Sequence, residues 1–198
     1  DFQEEWRHLA EVTRAQVRSW QKRGMHKQWA NRPLEWFGWI DVLITSTDWE
    51  NFWQLRLDKG AQPEVRLLAE KVLEVMHRSY PTQLKPGQWH LPYITKDEEK
   101  HFEIADLLKL STARCARLSY KPFDGQANIE AEFERYRKLV VSRPVHASPA
   151  EHQATPDRFF DRDRGLPRWE HPELHGNFYG WKQHRKMIAN ESVGGRGK

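Results

Sequence analysis

Apolar residues recur every three to five positions through most of this chain, and proline or glycine stands where the recurrence breaks. That spacing puts apolar side chains on one face of a 3.6-residue helix, so it commits the chain to helices that each pack by one stripe. Phe2, Trp6, Leu9, Val12, Val17 and Trp20 mark a first helix over residues 3–23 that stops at Gly24. "MHKQWAN" reads as a second, short helix ending before Pro33. "AQPEVRLLAEKVLEVMHR" predicts a strong helix with Pro63 in its first turn. Farther along, "KDEEKHFEIADLLKL", "STARCARLSY" and "NIEAEFERYRKLVVS" are helical again.

One stretch departs from the pattern. "WFGWIDVLITST" is rich in aromatic and β-branched residues and reads as a buried strand or extended segment. "TDWE" then supplies the Thr-x-x-Glu of a capping box, starting a helix near Asp48. Three prolines and a glycine make "SYPTQLKPGQWHLPYIT" a loop or boundary, residues 144–176 read as irregular, and "GGRGK" as a frayed tail. The expected fold is therefore α+β and helix-rich, with helices packed on a small sheet. Residues 1–79 form one half, 80–96 a linker loop and 97–198 the second half of one combined domain. A chain of 198 residues can bury a sizeable core on that plan.

Charge narrows the function. Lys plus Arg number 32 against 28 for Asp plus Glu, and the net charge of +4 is interleaved along the chain. A nucleic-acid binder clusters its basic residues, so a small anionic substrate fits better than a polymer. Cys115 is the only cysteine, which rules out an intramolecular disulfide framework and a cysteine-based zinc cluster and fits a reducing, cytoplasmic setting. No run of 18 apolar residues and no signal-peptide pattern is present, so no membrane partner is expected. The chain opens on Asp1 and already in helix, from which we expect an upstream segment.

Four polar constellations interrupt the apolar pattern. Asn51, Arg56, Gln62, Glu64 and Arg66 stand among tryptophan, leucine and valine, either as solvated helix positions or as the lining of a site for an anionic, hydrogen-bonding ligand. Asn51 and Arg56 are five residues apart, about 140° around a helix, so they do not share one narrow stripe. In "VHASPAEHQATP", Ser148 and Glu151 can form a capping box behind Pro149, a purely structural account. His146 and His152 of that block have no second ligand pair at metal-binding spacing, and no metal is expected. "NFYGWKQHRKMIANES" is polar and basic, either a solvated C-terminal element or part of a site. Cys115 lies between Arg114 and Arg117, which favours a thiolate, but its apolar helical context points to a buried structural role.

With these stretches together, the chain resembles the flavin-dependent thymidylate synthase (ThyX) family in the divergent form found in phage genomes. "NFWQLRLDKGAQPEVRLLA" is similar to the family signature N-x-x-x-L-R-x-x-x-x-A-Q-x-E-I-R at Asn51, Leu55, Arg56, Ala61, Gln62, Glu64 and Arg66. "ARLSY", residues 116–120, and "HASPAEH" resemble the family's A-R-V-S-Y and H-x-S-P-x-E-H blocks. Their order relative to the N-x-x-x-L-R helix is reversed, which reads as a circular permutation, tolerated when the termini of a compact domain are close. The family's diagnostic H-R-x-x-S-x-N-x-x-S-x-R block is not found in these residues and is expected in the upstream segment. A weaker echo of it is His184, Arg185, Asn190 and Glu191. "HKQWANR" resembles the segment that carries a substrate-binding arginine, with Asn31 at that position and Arg32 beside it.

The resemblance implies reductive methylation of dUMP to dTMP with FAD, methylenetetrahydrofolate as carbon donor and NADPH as reductant, in a homotetramer with active sites between subunits. The host cytoplasm would be its place if phage-encoded. It implies that Arg56 contacts the uracil ring and favours its N3-ionised form as the catalytic residue, with Asn31 and Arg32 also on the substrate. Asn51, His146, Ser148 and Arg185 would hold the flavin. A guanidinium suits a developing oxyanion because it stays charged and offers several planar donors. Two alternatives stay open: another flavin-dependent modification of a pyrimidine nucleotide, or a catalytically dead subunit with a nucleotide-binding or structural role.

Overall fold

The computed structural model describes residues 1–118, 128–141, 143–161 and 168–192, and it divides into two compact units, 1–42 and 43–198. The first unit begins with helix α1, Phe2–Lys22. Asp1 caps it by accepting from the Gln3 N–H at 3.1 Å, and Glu4 and Glu5 sit in the first turn where the helix dipole favours negative charge. Gly24 ends it with φ +89, a left-handed value that a side chain resists. Helix α2, Lys27–Ala30, leads into a 3-10 segment, Arg32–Phe37, entered through Pro33. Val17 and Ala30 are buried, and Trp6 packs on Phe37 with ring centroids 5.0 Å apart.

The strand expected in "WFGWIDVLITST" is not formed. Trp36 and Phe37 close the 3-10 segment, residues 38–46 have no regular structure, and Trp39 is 100% exposed. Strand propensity measures how a side chain fits a half-buried pleated surface, and among the described residues no strand pairs with this segment to supply one.

The second unit contains α3, Glu50–Arg56, α4, Pro63–Arg78, α5, Glu98–His101, α6, Ile104–Ala116, and α7, Ile129–Tyr136, which continues into a π turn, Arg137–Val141. Pro63 opens α4 as expected. The capping box at "TDWE" does not form: Trp49 precedes the helix without a side-chain cap. Asp48 Oδ1 accepts from Glu50 N–H at 3.0 Å instead, and Thr47 Oγ1 accepts from the Tyr179 N–H at 3.1 Å.

Helix α6 is the hub. Leu107, Leu108, Leu110 and Ala113 are buried on it, against α7 and a 3-10 turn at Ser148–Glu151. Its buried hydroxyls are satisfied, Ser111 donating to Pro92 O at 2.7 Å and Thr112 to Leu108 O at 2.8 Å. On α7, Glu132 is buried and held by Arg117 and Arg135, each at 2.5 Å. A buried carboxylate needs such partners, and these also tie α6 to α7.

Strands β1, Ala154–Pro156, and β4, Trp181–Gln183, pair antiparallel with Ala154 opposite Gln183 and Pro156 opposite Trp181. His90 adds a bridge to Ala154. Strands β2, Phe159–Phe160, and β3, Arg168–Trp169, form a second antiparallel pair. The fold is α+β and helix-rich, with two small sheets among the described residues. Among them no helix is long and apolar enough to cross a membrane.

Candidate functional site

The H-A-S-P-A-E-H block follows α7 and its π turn, runs toward β1, and packs against α6. Ser148 is not an N-cap: Ala147 precedes the 3-10 turn and no side chain caps it. Glu151, expected to close a capping box, instead accepts from Arg185 Nη1 at 2.9 Å. His152 Nδ1 lies 3.1 Å from Thr45 Oγ1. Burial lowers the His152 pKa, although Glu151 pulls it up, so its ring is neutral near pH 7.

Gln153, fully buried, lies against Ser111 at 3.0 Å and Thr112 at 3.3 Å on α6. We assign its amide nitrogen toward the carbonyls of Pro149 and Ala150, each 3.2 Å away, because those oxygens only accept. Cys115 Sγ is 3.4 Å from the same amide. Burial pushes this thiol up to about 11, which makes it a structural thiol and not a nucleophile at neutral pH.

A cleft of about 600 Å³ opens beside this block, lined by Glu151, Asn177, Gln183, Arg185, Lys186 and Ser192 among others. Gln183 forms part of it, almost wholly buried, donating to Glu151 O at 3.2 Å and Asn177 Oδ1 at 2.8 Å. Arg185 Nε and Lys186 Nζ both donate to the Glu191 carboxylate, at 2.9 and 2.6 Å. The two cations in the cleft thus already carry acidic partners. His184, beside them, faces inward: its ring stacks near Tyr136 and edges on Trp89, both with centroids at 6.4 Å, and its buried Nε2 has no hydrogen-bond partner among the described residues. Burial holds its pKa down to about 4.

The other expected site residues fall elsewhere. Asn51 and Arg56 are exposed on α3, and neither side chain has a partner among the described residues. His146 and Ser148 are also exposed, with side chains unpartnered among the described residues. Asn51, His146 and Ser148 therefore keep hydrogen-bonding capacity, whereas the Arg185 guanidinium is already held by Glu151 and Glu191. Asn31 and Arg32 belong to the first unit, where Asn31 Oδ1 accepts from Gln21 Nε2 at 2.8 Å and Arg32 pairs with Glu35 at 3.4 Å. Of the "ARLSY" block, Ser119 and Tyr120 lie outside the described residues.

Sequence reasoning missed one cluster. Asp157, its side chain fully buried, accepts from the Arg158 and His171 N–H groups at 2.9 and 2.8 Å, and from His175 Nε2 at 2.9 Å. The Gly180 N–H donates to His175 Nδ1 at 3.2 Å, which places the ring proton on Nε2. Burial opposes charge on Asp157, but these hydrogen bonds outweigh it and lower the pKa. Asp157, Glu170 and His171 offer ligand atoms within 4.8 Å of one another, yet the N–H donors already explain the carboxylate's position. Only the bare residue types signalled this cluster, since Asp157 and His175 are 18 residues apart.

Comparison of the chain with protein-family models, with curated proteins and with solved structures finds no match.

Proposed function

We propose that the protein is a flavin-dependent thymidylate synthase with permuted motif order, which methylates dUMP reductively using FAD, methylenetetrahydrofolate and NADPH, in a homotetramer. The observation that carries this reading is that four of the resembling blocks share one compact unit, "HKQWANR" belonging to the other. Residues 43–198 hold the Asn51–Arg66 signature, the start of the "ARLSY" block, "HASPAEH" and the His184–Glu191 echo. Within it Thr45, just ahead of α3, meets His152, and Glu151 meets Arg185. A permuted chain that retained its fold would need such contacts between blocks distant in sequence.

Two further observations support the chemistry. Arg56 presents a guanidinium with no acidic partner among the described residues, so its charge is available to an anionic or ionising ring. Cys115 has its thiol held protonated, which agrees with a reaction whose electrons come from reduced flavin and not from a protein thiolate. Arg56 is assigned to dUMP in this reading, and Asn51, His146, Ser148 and Arg185 to FAD. The pairing of Arg185 with both Glu151 and Glu191 favours the second reading, a catalytically dead subunit.

One experiment separates them. The protein is incubated with FAD, freed of unbound cofactor, examined for a retained flavin spectrum, and then supplied with dUMP, methylenetetrahydrofolate and NADPH. Retained flavin and dTMP formation are expected. Retained nucleotide without dTMP supports the dead subunit, and a protein that keeps no flavin loses both the FAD assignment and the enzyme reading.

A further inference from the structure

A second cleft, of about 220 Å³, is lined by none of the residues assigned above. Three separate stretches build it: the segment entering α3, the loop after α4, and the strands β1 and β4 with their approach. Thr45, Ser46, Thr47 and Thr82 supply four hydroxyls, and His90 an imidazole. Phe178 and Ala154, both buried, and Leu84 and Trp181 supply apolar surface.

The hydroxyls differ in what they have left to offer. Ser46 is spent on its own turn, donating to Asp48 O at 2.7 Å and accepting from Asp48 N–H at 3.2 Å. Thr45 is engaged with His152. Thr47 Oγ1 accepts from the Tyr179 N–H, which leaves its own O–H free to donate. Thr82 makes no hydrogen bond among the described residues, so it can both donate and accept.

Among the described residues that line it, none carries a carboxylate, an ammonium or a guanidinium. His90 has its pKa lowered by burial and is neutral near pH 7. A charged ligand would lose hydration here with no counter-charge to meet it. An apolar ligand would leave free hydroxyls facing it unsatisfied. What fits is uncharged, offers apolar surface to Trp181 and Leu84, and carries donors and acceptors along an edge. The volume is below the usual range for whole drug-sized or cofactor ligands, which limits the occupant to about one ring.

We propose that this cleft binds a single neutral heteroaromatic ring bearing an amide or imide edge, with Trp181 and Phe178 contacting the ring and the Thr47 and Thr82 hydroxyls pairing with its polar edge. The cleft would hold such a ring whether or not the protein is a flavoenzyme.

The test is a two-dimensional NMR titration of the protein with nicotinamide, a ring carboxamide, and uracil, a cyclic imide, with nicotinate as the charged match of the first. The Trp181 indole N–H, assigned through Trp181→Phe, and the Thr82 amide should shift saturably with at least one neutral ring. Affinity for a fragment this small is expected in the high-micromolar to millimolar range. If nicotinamide is the binder, nicotinate should bind at least about tenfold more weakly. Thr82→Val, at an exposed loop position that leaves the fold unaltered, should weaken the preferred ring about fivefold to tenfold, the loss of one net hydrogen bond. Thr82→Ser should restore it. Binding of one neutral ring alone tells a carboxamide from an imide occupant. No saturable shift with either ring, equal binding of nicotinate and nicotinamide, or indifference to Thr82→Val overturns the proposal.

Discussion

Thr45 Oγ1 and His152 Nδ1 lie 3.1 Å apart although 107 residues separate them in the chain. The contact fastens the segment that leads into α3 onto the H-A-S-P-A-E-H block. His152 is held neutral, so one of its ring nitrogens can accept and the other donate. Thr45→Val keeps shape but removes the hydroxyl and strands a half-buried ring nitrogen. We expect a loss of about 1 kcal/mol, seen as a lower urea midpoint with an unchanged slope. An unchanged midpoint would mean that the hydroxyl contributes nothing and that apolar packing alone fastens the segment.

Gly176 should tolerate no side chain. Its φ is +61, and a Cβ built there would lie 2.1 Å from Gln183 Oε1, with Gln183 Cδ at 3.1 Å. Gln183 cannot retreat cheaply, because it is buried and its nitrogen spans Glu151 O and Asn177 Oδ1. Gly176→Ala combines backbone strain with displacement of this amide, and should cost about 2–4 kcal/mol. A thermal melt of the variant within a degree of the parent would show that the loop relaxes freely.

Acid should destabilise the fold in two windows. His184 has its pKa lowered to about 4 from the usual histidine value of 6.5 by burial. Its neutral form is thus fully stabilising above 6.5, and that contribution is lost as pH falls from there toward 4. Glu98 is lowered to about 2 from 4.5, first by its hydrogen bonds to Arg114 at 2.8 and 2.5 Å and further by the Thr95 N–H and hydroxyl. Its contribution is present above 4.5 and is lost between there and about 2. His184→Phe should reduce the slope in the first window, which His90 and His152 share because burial lowers them too, and Glu98→Gln should reduce the slope in the second, which Asp157 and Glu191 share, in denaturation followed across pH. If His184→Phe leaves the slope between 6.5 and 4 unchanged, His184 contributes nothing to it and the other lowered histidines carry the window.

The sequence was legible where one local pattern decides the structure. Helices α1 and α4 could be read from their stripes, from Gly24 and from Pro63, all within a turn or two of the element they define. Both capping boxes were misread for the opposite reason. Thr47 and Glu151 have partners far along the chain, Tyr179 and Arg185, and a tertiary bond displaced the local one in each case. The same holds for the Asp157–His175 contact, whose shortest signal is 18 residues long. "WFGWIDVLITST" carries strand-forming residues, but strand formation needs a neighbour that no local pattern announces. In the candidate site, Asn51 and Arg56 could be singled out by residue type, whereas the carboxylates on Arg185 could not.

The reaction itself is tested most sharply by Arg56 and Cys115 together. Arg56 is exposed and lacks an ion pair among the described residues, so replacing it disturbs no internal partner and stability should hold within about 0.5 kcal/mol. Arg56→Lys keeps the charge but loses the planar fork, so turnover of dUMP should fall on the order of 10²-fold, the cost of removing one preorganised donor to a developing oxyanion. Cys115→Ala removes a protonated, half-buried thiol beside Gln153 and should leave turnover within a few-fold, with a modest loss of stability. The two variants divide the possible mechanisms. A fall with Arg56→Lys and near-parent rates with Cys115→Ala is the flavin pattern. Abolition of turnover by Cys115→Ala in a protein that still folds would require a cysteine nucleophile, whose thiolate would have to form against the burial that now holds it protonated.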